Sequence, residues 1–394
     1  MFSIFSNLGI LFTFKYFNFF IDSAKELLDV LGFSVRDIYL ELALPVGISF
    51  YTFQTMSYSI DVYRGRIAPE KNFGIFALYV SYFPQLLAGP IERAENLLPQ
   101  FKNKSVLTLK EVQFSLNIIA YGIFKKVVVA DRLSLYVDNV YEDLSVANPI
   151  AILSGAFLFG IQVYCDFSGY SHIARGLSQL LGIKLLRNFD RPFLAHSVRD
   201  YWRRWHVSLS NWIRDYLYIP MGGSRVKPVR TLINLVTVFV VMGLWHGANW
   251  SLAVWGATHG LGLSIERFFR NKFHFLPLAF RNTVGSLFTL CFVFIGFIMY
   301  RADNVQQGFA GYMNLLEGDW DFSMKIVQAG LTIFQFKLCL ISLVLLGLSY
   351  LCPKEMVFTG KKSLVYNFIS LLIMAFIIIL FSTNDDIKFI YFQF

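Results

Sequence analysis

The chain has 394 residues, of which 56% are hydrophobic, 18% aromatic and 15% charged, and its formal net charge is +9. Soluble domains carry about 25% charged residues, so a single water-soluble core at this length is excluded. Runs such as LVTVFVVMGLW are apolar on every face, which excludes the alternating strands of a membrane β-barrel.

An all-α, polytopic membrane protein remains. The N-terminal run MFSIFSNLGILFTFKYFNFF lacks a basic leading segment and a small-residue cleavage site, so it reads as a first span and not as a removable signal peptide. Next come LALPVGISFYTFQTMSYSIDVYRG (Leu42–Gly65) and YFPQLLAGPIER (Tyr82–Arg93), apolar segments interrupted by proline and glycine. Broken backbone at membrane depth survives only where protein or a cavity covers it, so re-entrant helices or packed kinks are expected there. Within the first of these, Asp61 is expected to pair with Arg64. Spans need about 20 mostly apolar residues, and Pro149–Val163, Leu232–Trp255, Thr283–Tyr300, Gly330–Leu351 and Asn367–Phe381 are the remaining candidates. Asp166, in VYCDFSGYSHIARG, is a charge in an otherwise apolar segment, for which an ion pair with Arg175 or another cation is the expected structural role.

Between Lys184 and Arg230 there are ten Lys/Arg and three Asp. Basic residues beside spans stay cytoplasmic, which places this stretch inside. It alternates aromatic and cationic residues too densely for a lipid-facing span, so interfacial and re-entrant helices with aromatics in the headgroup zone are expected. Its charge suits anionic headgroups or the phosphates of an anionic donor, or serves only to orient the chain; nucleic acid is excluded by the membrane setting. The four cysteines (Cys165, Cys291, Cys339, Cys352) form no CxxC pair and read as packing residues.

His246 stands in VVMGLWHGANW, with no charged residue between Thr231 and Glu266. An ionisable group at such depth is a functional candidate by default, with a structurally satisfied histidine as the competing reading. Asn249 falls one helical turn beyond it, where its amide would orient the imidazole. His259, in WGATHG, and His206, in WRRWHVSLSNW, are further candidates with weaker claims. No HExxH helix, no His pair four apart and no GxSxG elbow is present, which argues against a metal site or a serine hydrolase.

Taken in order, LPVGISFYTFQTMSYSIDVYRG, YFPQLLAGPIER, YCDFSGYSHIARGL, YWRRWHVSLSNWIRDYLYIPMGGSR, GLWHGANW and WGATHG resemble the membrane-bound O-acyltransferase family, from about Asn7 to about Gly260. More narrowly they resemble its bacterial polysaccharide branch, which includes alginate and peptidoglycan O-acetylation proteins. The resemblance implies one membrane domain across residues 1–394, with core motifs in 42–260 and plain spans in 261–394. It implies a helical bundle with re-entrant helices around a transmembrane tunnel in the bacterial cytoplasmic (inner) membrane. Longer members carry about three further spans ahead of FKYFNFF, which this chain is expected to lack. The essential histidine of the family falls on His246, its second on His206, and the WGxxHG histidine on His259.

The implied donor is a cytoplasmic acyl thioester, typically acetyl-CoA, with no permanently bound cofactor. The implied acceptor is a glycan hydroxyl or a carrier protein outside. On this reading His246 is the general base, His206 assists at the thioester, Asn249 and Trp245 shape the pocket, and Arg203 and Arg204 gather the donor phosphates. Two rival readings stand: a transporter with a proton relay through His246, Asp166 and Asp61, and a non-catalytic scaffold of the same fold.

Overall fold

A computed structural model describes residues 2–33, 36, 38–86, 89–103, 105–269, 277–323, 329–351, 364–382 and 389. The described residues form helices and loops, with no strand among them. Among the described residues, six helices are long and apolar enough to cross a membrane. The chain is a multi-pass membrane protein.

The first helix, α1 (Phe2–Val30), is continuous but contains a π-type turn at Phe12–Tyr16. Helix α2 (Ile48–Tyr63) packs on it, and the short helices α3 (Phe73–Ser81), α4 (Phe83–Leu86) and α5 (Ala94–Lys102) follow. Chain breaks between these pieces fall where the prolines and glycines of the sequence lie, and Gly47 enters α2 from the left-handed region (φ 77°).

Helix α6 (Leu109–Tyr141) begins at a reciprocal capping box between Thr108 and Glu111. Its middle widens into a π-type stretch, Phe124–Ala130. Helix α7 (Pro149–Leu180) starts with Asn148 accepting from the Ile150 N–H and Pro149 in the first turn, where a missing N–H costs nothing. It is the central helix: Ile152, Cys165 and Ser168 are fully enclosed, and it packs on α6 and on α12 (Leu278–Arg301).

The cation-rich stretch forms α8 (Val198–Arg204) and α9 (Val207–Ile213), the latter extended by a π-type turn at Arg214–Tyr218. Tyr201, Trp202, Trp205 and Trp212 are buried in the protein core. This corrects the expectation of aromatics in the headgroup zone: the rings fill space between α7, α10 (Pro228–His246) and α11 (Trp250–Phe269).

The predicted span Leu232–Trp255 is in fact two helices. Helix α10 stops at His246, Gly247 is extended (φ −160°, ψ 153°), and α11 starts at Trp250. The two run back along each other closely enough that a side chain at Gly243 would strike the Leu252 carbonyl, and one at Gly256 the Phe239 carbonyl. Helix α13 (Val305–Glu317) follows α12, and α14 (Ile333–Leu351) and α15 (Leu364–Phe381) complete the described chain. Cys165 and Cys339 are buried as packing residues; Cys291 instead faces outward, and Cys352 lies outside the described residues.

Candidate active site

Three histidines far apart in sequence meet at the end of α10. His246 is the last residue of that helix, and its ring lies 6.4 Å from that of His206, centroid to centroid. Trp245 stands between them, 5.1 Å from His246 and 5.9 Å from His206, and its indole stacks on Phe53 of α2. His259 joins through Trp255, which is 4.8 Å from His259 and 5.8 Å from His246. Tyr300 of α12 closes the group, 5.7 Å from His246 and 4.8 Å from Trp255. All three imidazoles are buried.

His206 occupies the left-handed backbone region (φ 43°), uncommon for a residue with a side chain and a conformation that functional sites retain. The strain is held by its neighbours: the Asn188 carbonyl accepts from the Val207 N–H, and Asn188 Oδ1 accepts from both the N–H and the hydroxyl of Ser208. Because the Ser208 N–H can only donate, the atom it meets is the amide oxygen, so the His206 Nδ1 at 3.2 Å must carry the proton. Its Nε2 then presents a lone pair and has no hydrogen-bond partner among the described residues. The opposite tautomer holds at His259, whose Nδ1 accepts from the Trp202 indole N–H at 3.3 Å.

The last turn of α10 leaves carbonyls without helical partners. Helix α1 supplies them. Lys15 Nζ donates to the carbonyls of Trp245 (2.8 Å) and His246 (3.2 Å), and the Tyr16 hydroxyl donates to that of Leu244 (2.9 Å). Both residues belong to the π-type turn, which aims two consecutive side chains at one target. Sequence reasoning did not single out Lys15, although a lone cation in an apolar span was a signal for it.

Asn249 does not orient His246. With α10 ended, its Oδ1 caps the Ser251 N–H (2.8 Å) and its amide donates to the Asp303 carbonyl (2.7 Å). Asp166 forms the expected ion pair, with Lys126 of α6 as the cation at 2.7 Å; Lys126 also reaches Asp131 at 2.7 Å. Asp61 likewise meets Arg66 (3.4 Å) and the Tyr216 hydroxyl (2.5 Å) in place of Arg64.

Two cavities lie near the histidines, one along the middle of α10 from Leu235 to Met242 and one just past its C-terminal end. The first, about 450 Å³, is lined at its rim by Arg199, Arg203, Arg214, Arg267 and Glu266, and deeper by Trp202, Phe239 and Met242. Arg204 is not part of it and pairs with Asp200 at 3.0 Å. The second, about 530 Å³, is polar and lies beyond His246, lined by Gly247, Asn249, Asp138, Arg301 and Asp303. Arg301 there bridges Asp138 at 3.1 Å. Beside α8 and α9 is another buried charge, Glu92. Burial pushes its carboxyl up to about 7, against hydrogen bonds from the Leu186 N–H (2.5 Å) and the Asn96 amide (2.6 Å).

Comparison with known proteins bears directly on this site. The profile of the membrane-bound O-acyltransferase family matches residues 71–303, which include all three histidines. The probable alginate O-acetylase AlgI of Azotobacter vinelandii is 37% identical over 345 residues, covering 86% of this chain and 67% of the relative. The peptidoglycan O-acetyltransferase of Helicobacter pylori is 35% identical over 332 residues, 77% of this chain and 61% of the relative. A teichoic acid D-alanyltransferase of Streptococcus thermophilus is 29% identical over 235 residues, 56% of each chain. This chain thus spans about two thirds of the length of the AlgI relatives it matches. With its helical fold, its buried histidines and these matches, the chain belongs to the membrane-bound O-acyltransferase family of acyltransferases.

Proposed function

We propose that this protein moves an acetyl group from a cytoplasmic thioester, acetyl-CoA, to a hydroxyl of an extracytoplasmic polysaccharide or of a partner protein that relays it. The observation that carries the proposal is the position of His246, with the arginine-rimmed cavity reaching Met242 one turn before it and the polar cavity beginning at Gly247 just after it. Relatives named for O-acetylation of alginate and peptidoglycan support the glycan class of acceptor. The basic stretch favours the cytoplasm for the first cavity, and the membrane is then the bacterial inner membrane.

In this reading the rim arginines, Arg199 and Arg203 among them, hold the donor phosphates while the thioester arm passes Trp202 and Met242 toward His246. The acceptor hydroxyl arrives from the Asn249 and Arg301 side. A hydroxyl must lose its proton as it attacks, and the His246 imidazole takes that proton. The His206 Nε2 lone pair accepts a hydrogen bond from donor or acceptor beside it. No cofactor is bound permanently, and no metal takes part.

The test is to reconstitute the purified protein in vesicles and supply acetyl-labelled acetyl-CoA outside oriented vesicles that contain oligoalginate or peptidoglycan fragments. Label on the glycan supports the proposal. Label crossing without a covalent product would identify a transporter, and neither outcome would identify a scaffold.

A further inference from the structure

Two buried N–H groups near His246 lie beside the same glycine. The Trp202 indole N–H can only donate, so the His259 Nδ1 it meets is an acceptor and the neutral ring carries its proton on Nε2. That Nε2–H has no hydrogen-bond partner among the described residues, and neither has the Trp255 indole N–H. His259 is 1% exposed and Trp255 4%, so water outside the protein does not satisfy them. Unpaired buried donors cost about 1–3 kcal/mol each, and native proteins keep them where a ligand or an ordered water completes them.

The two nitrogens converge on Gly296 of α12. A β-carbon on that glycine would stand 3.4 Å from His259 Nε2 and 3.6 Å from Trp255 Nε1. Glycine therefore leaves a notch in α12 whose far wall is two N–H donors. Tyr300, one turn further along the same face of α12, brings the notch to His246, since its ring contacts both Trp255 and His246. Both distances are ordinary van der Waals contacts, so a methyl there would take up the space that glycine leaves for a small acceptor atom.

We infer that Trp255 Nε1–H, His259 Nε2–H and the notch at Gly296 form an oxyanion hole that receives the carbonyl oxygen of the acyl thioester. This rests on the acyl-transfer reading above. As the acceptor hydroxyl oxygen bonds to the carbonyl carbon, His246 takes the hydroxyl proton and the carbonyl π pair moves onto oxygen, where the two N–H groups hold the charge. Collapse re-forms the C=O bond and breaks C–S; the thiolate leaves with the proton from His246. Fixed donors aimed at developing charge in a site without bulk water are a large source of rate. Trp255 and His259 are catalytic residues on this account, and Trp202 is a positioning residue that fixes the tautomer of His259.

Turnover and analogue binding test it together. Trp255→Phe keeps the ring and removes one donor, and Gly296→Ala fills the notch. Each is expected to lower kcat for acetyl transfer from acetyl-CoA to oligoalginate by about 100-fold, with the KM for acetyl-CoA within about threefold of wild type. In binding measurements on detergent-purified protein, S-acetonyl-CoA, which has a carbonyl, should bind wild type at least about tenfold more tightly than S-ethyl-CoA, which has none. That preference should vanish in Trp255→Phe and Gly296→Ala, while S-ethyl-CoA binding stays unchanged and reports that both variants are folded. Wild-type kcat in both variants, or equal binding of the two analogues to wild type, would overturn the proposal; a variant that melts lower yet retains kcat would mean the notch holds only a structural water. Absence of transfer by wild type itself would refute the acyl-transfer reading, while the analogue comparison would still judge the notch.

Discussion

Helices α7 and α14 are similarly apolar and each is long enough to cross a membrane, yet 72% of the apolar window of α7 is buried inside the protein and 17% of that of α14. What separates them is polar content at depth. Helix α7 buries Gln162, Asp166, Ser168, Ser171 and Ser178, while α14 presents Val344 and Leu348 outward and buries only Ser342 among its polar residues. Lipid tails are as apolar as leucine, so hydropathy says that a helix is in the membrane and not which side of it faces protein. Polar groups cannot face lipid without cost, so they mark the surfaces that other helices cover. The histidine cluster lies on the α7 side of this division, where Phe167 touches the His206 ring at 4.6 Å.

The largest effect that would break the comparison concerns the buried ions. Asp166→Ala leaves Lys126 beside a vacated partner, and such losses cost about 3–5 kcal/mol. Little monodisperse protein is expected by size exclusion in detergent. Val344→Ala, at an outward position of α14, is expected to stay within about 0.5 kcal/mol of wild type in thermal unfolding. Equal tolerance at both positions would mean that α7 is not the structural centre.

Lys15 sharpens the comparison from the other side, because α1 is mostly unburied yet reaches the end of α10 through Lys15 and Tyr16. Lys15→Met removes two charge-assisted hydrogen bonds to the carbonyls of Trp245 and His246. We expect kcat to fall about tenfold or more with donor KM little changed, and Lys15→Arg to recover part of the loss. A parallel rise in KM would indicate that Lys15 touches the donor.

These residues also show where the sequence was legible. Apolar runs announce the membrane, and the dense series of motifs announces the family. That Asp166 is ion-paired was legible; which cation reaches it was not. Arg175 lies nine residues beyond Asp166, which is about 13 Å along a helix axis, while Lys126 arrives from a neighbouring helix. The end of α10 at His246 was hidden because WHGANW contains no proline; its glycine and asparagine act only once Asp303 and Lys15 are in place to receive the chain ends. The placement of His206 beside His246 depends on a left-handed turn held by Asn188, which no local pattern declares.

A smaller effect is expected at the arginine-rimmed cavity. Arg199→Gln with Arg203→Gln should raise the apparent KM for acetyl-CoA about tenfold and leave kcat within about twofold, measured by initial rates at low salt. Unchanged KM would remove these residues from donor binding. The same change at Arg204, held by Asp200 outside the cavity, should have less effect.

The smallest effect is on pH dependence. The Glu92 carboxyl has its folded value raised to about 7 by burial, so the folded state holds a proton that the unfolded state releases at lower pH. Its contribution is most favourable below the ordinary carboxylate range and is lost as pH rises toward about 7. Melting temperature should therefore decline over that window, and Glu92→Gln should flatten the decline. An identical slope in the variant would show that another group governs it.

The most direct test of the account compares wild type with His246→Ala and His206→Ala in the same vesicles, following labelled acetyl from acetyl-CoA to glycan. General-base removal costs about 10²–10⁴-fold, so His246→Ala is predicted to transfer no more than about a hundredth of the wild-type label while remaining folded and retaining donor binding. Wild-type transfer by His246→Ala would contradict the assignment of catalysis to the histidine at the end of α10.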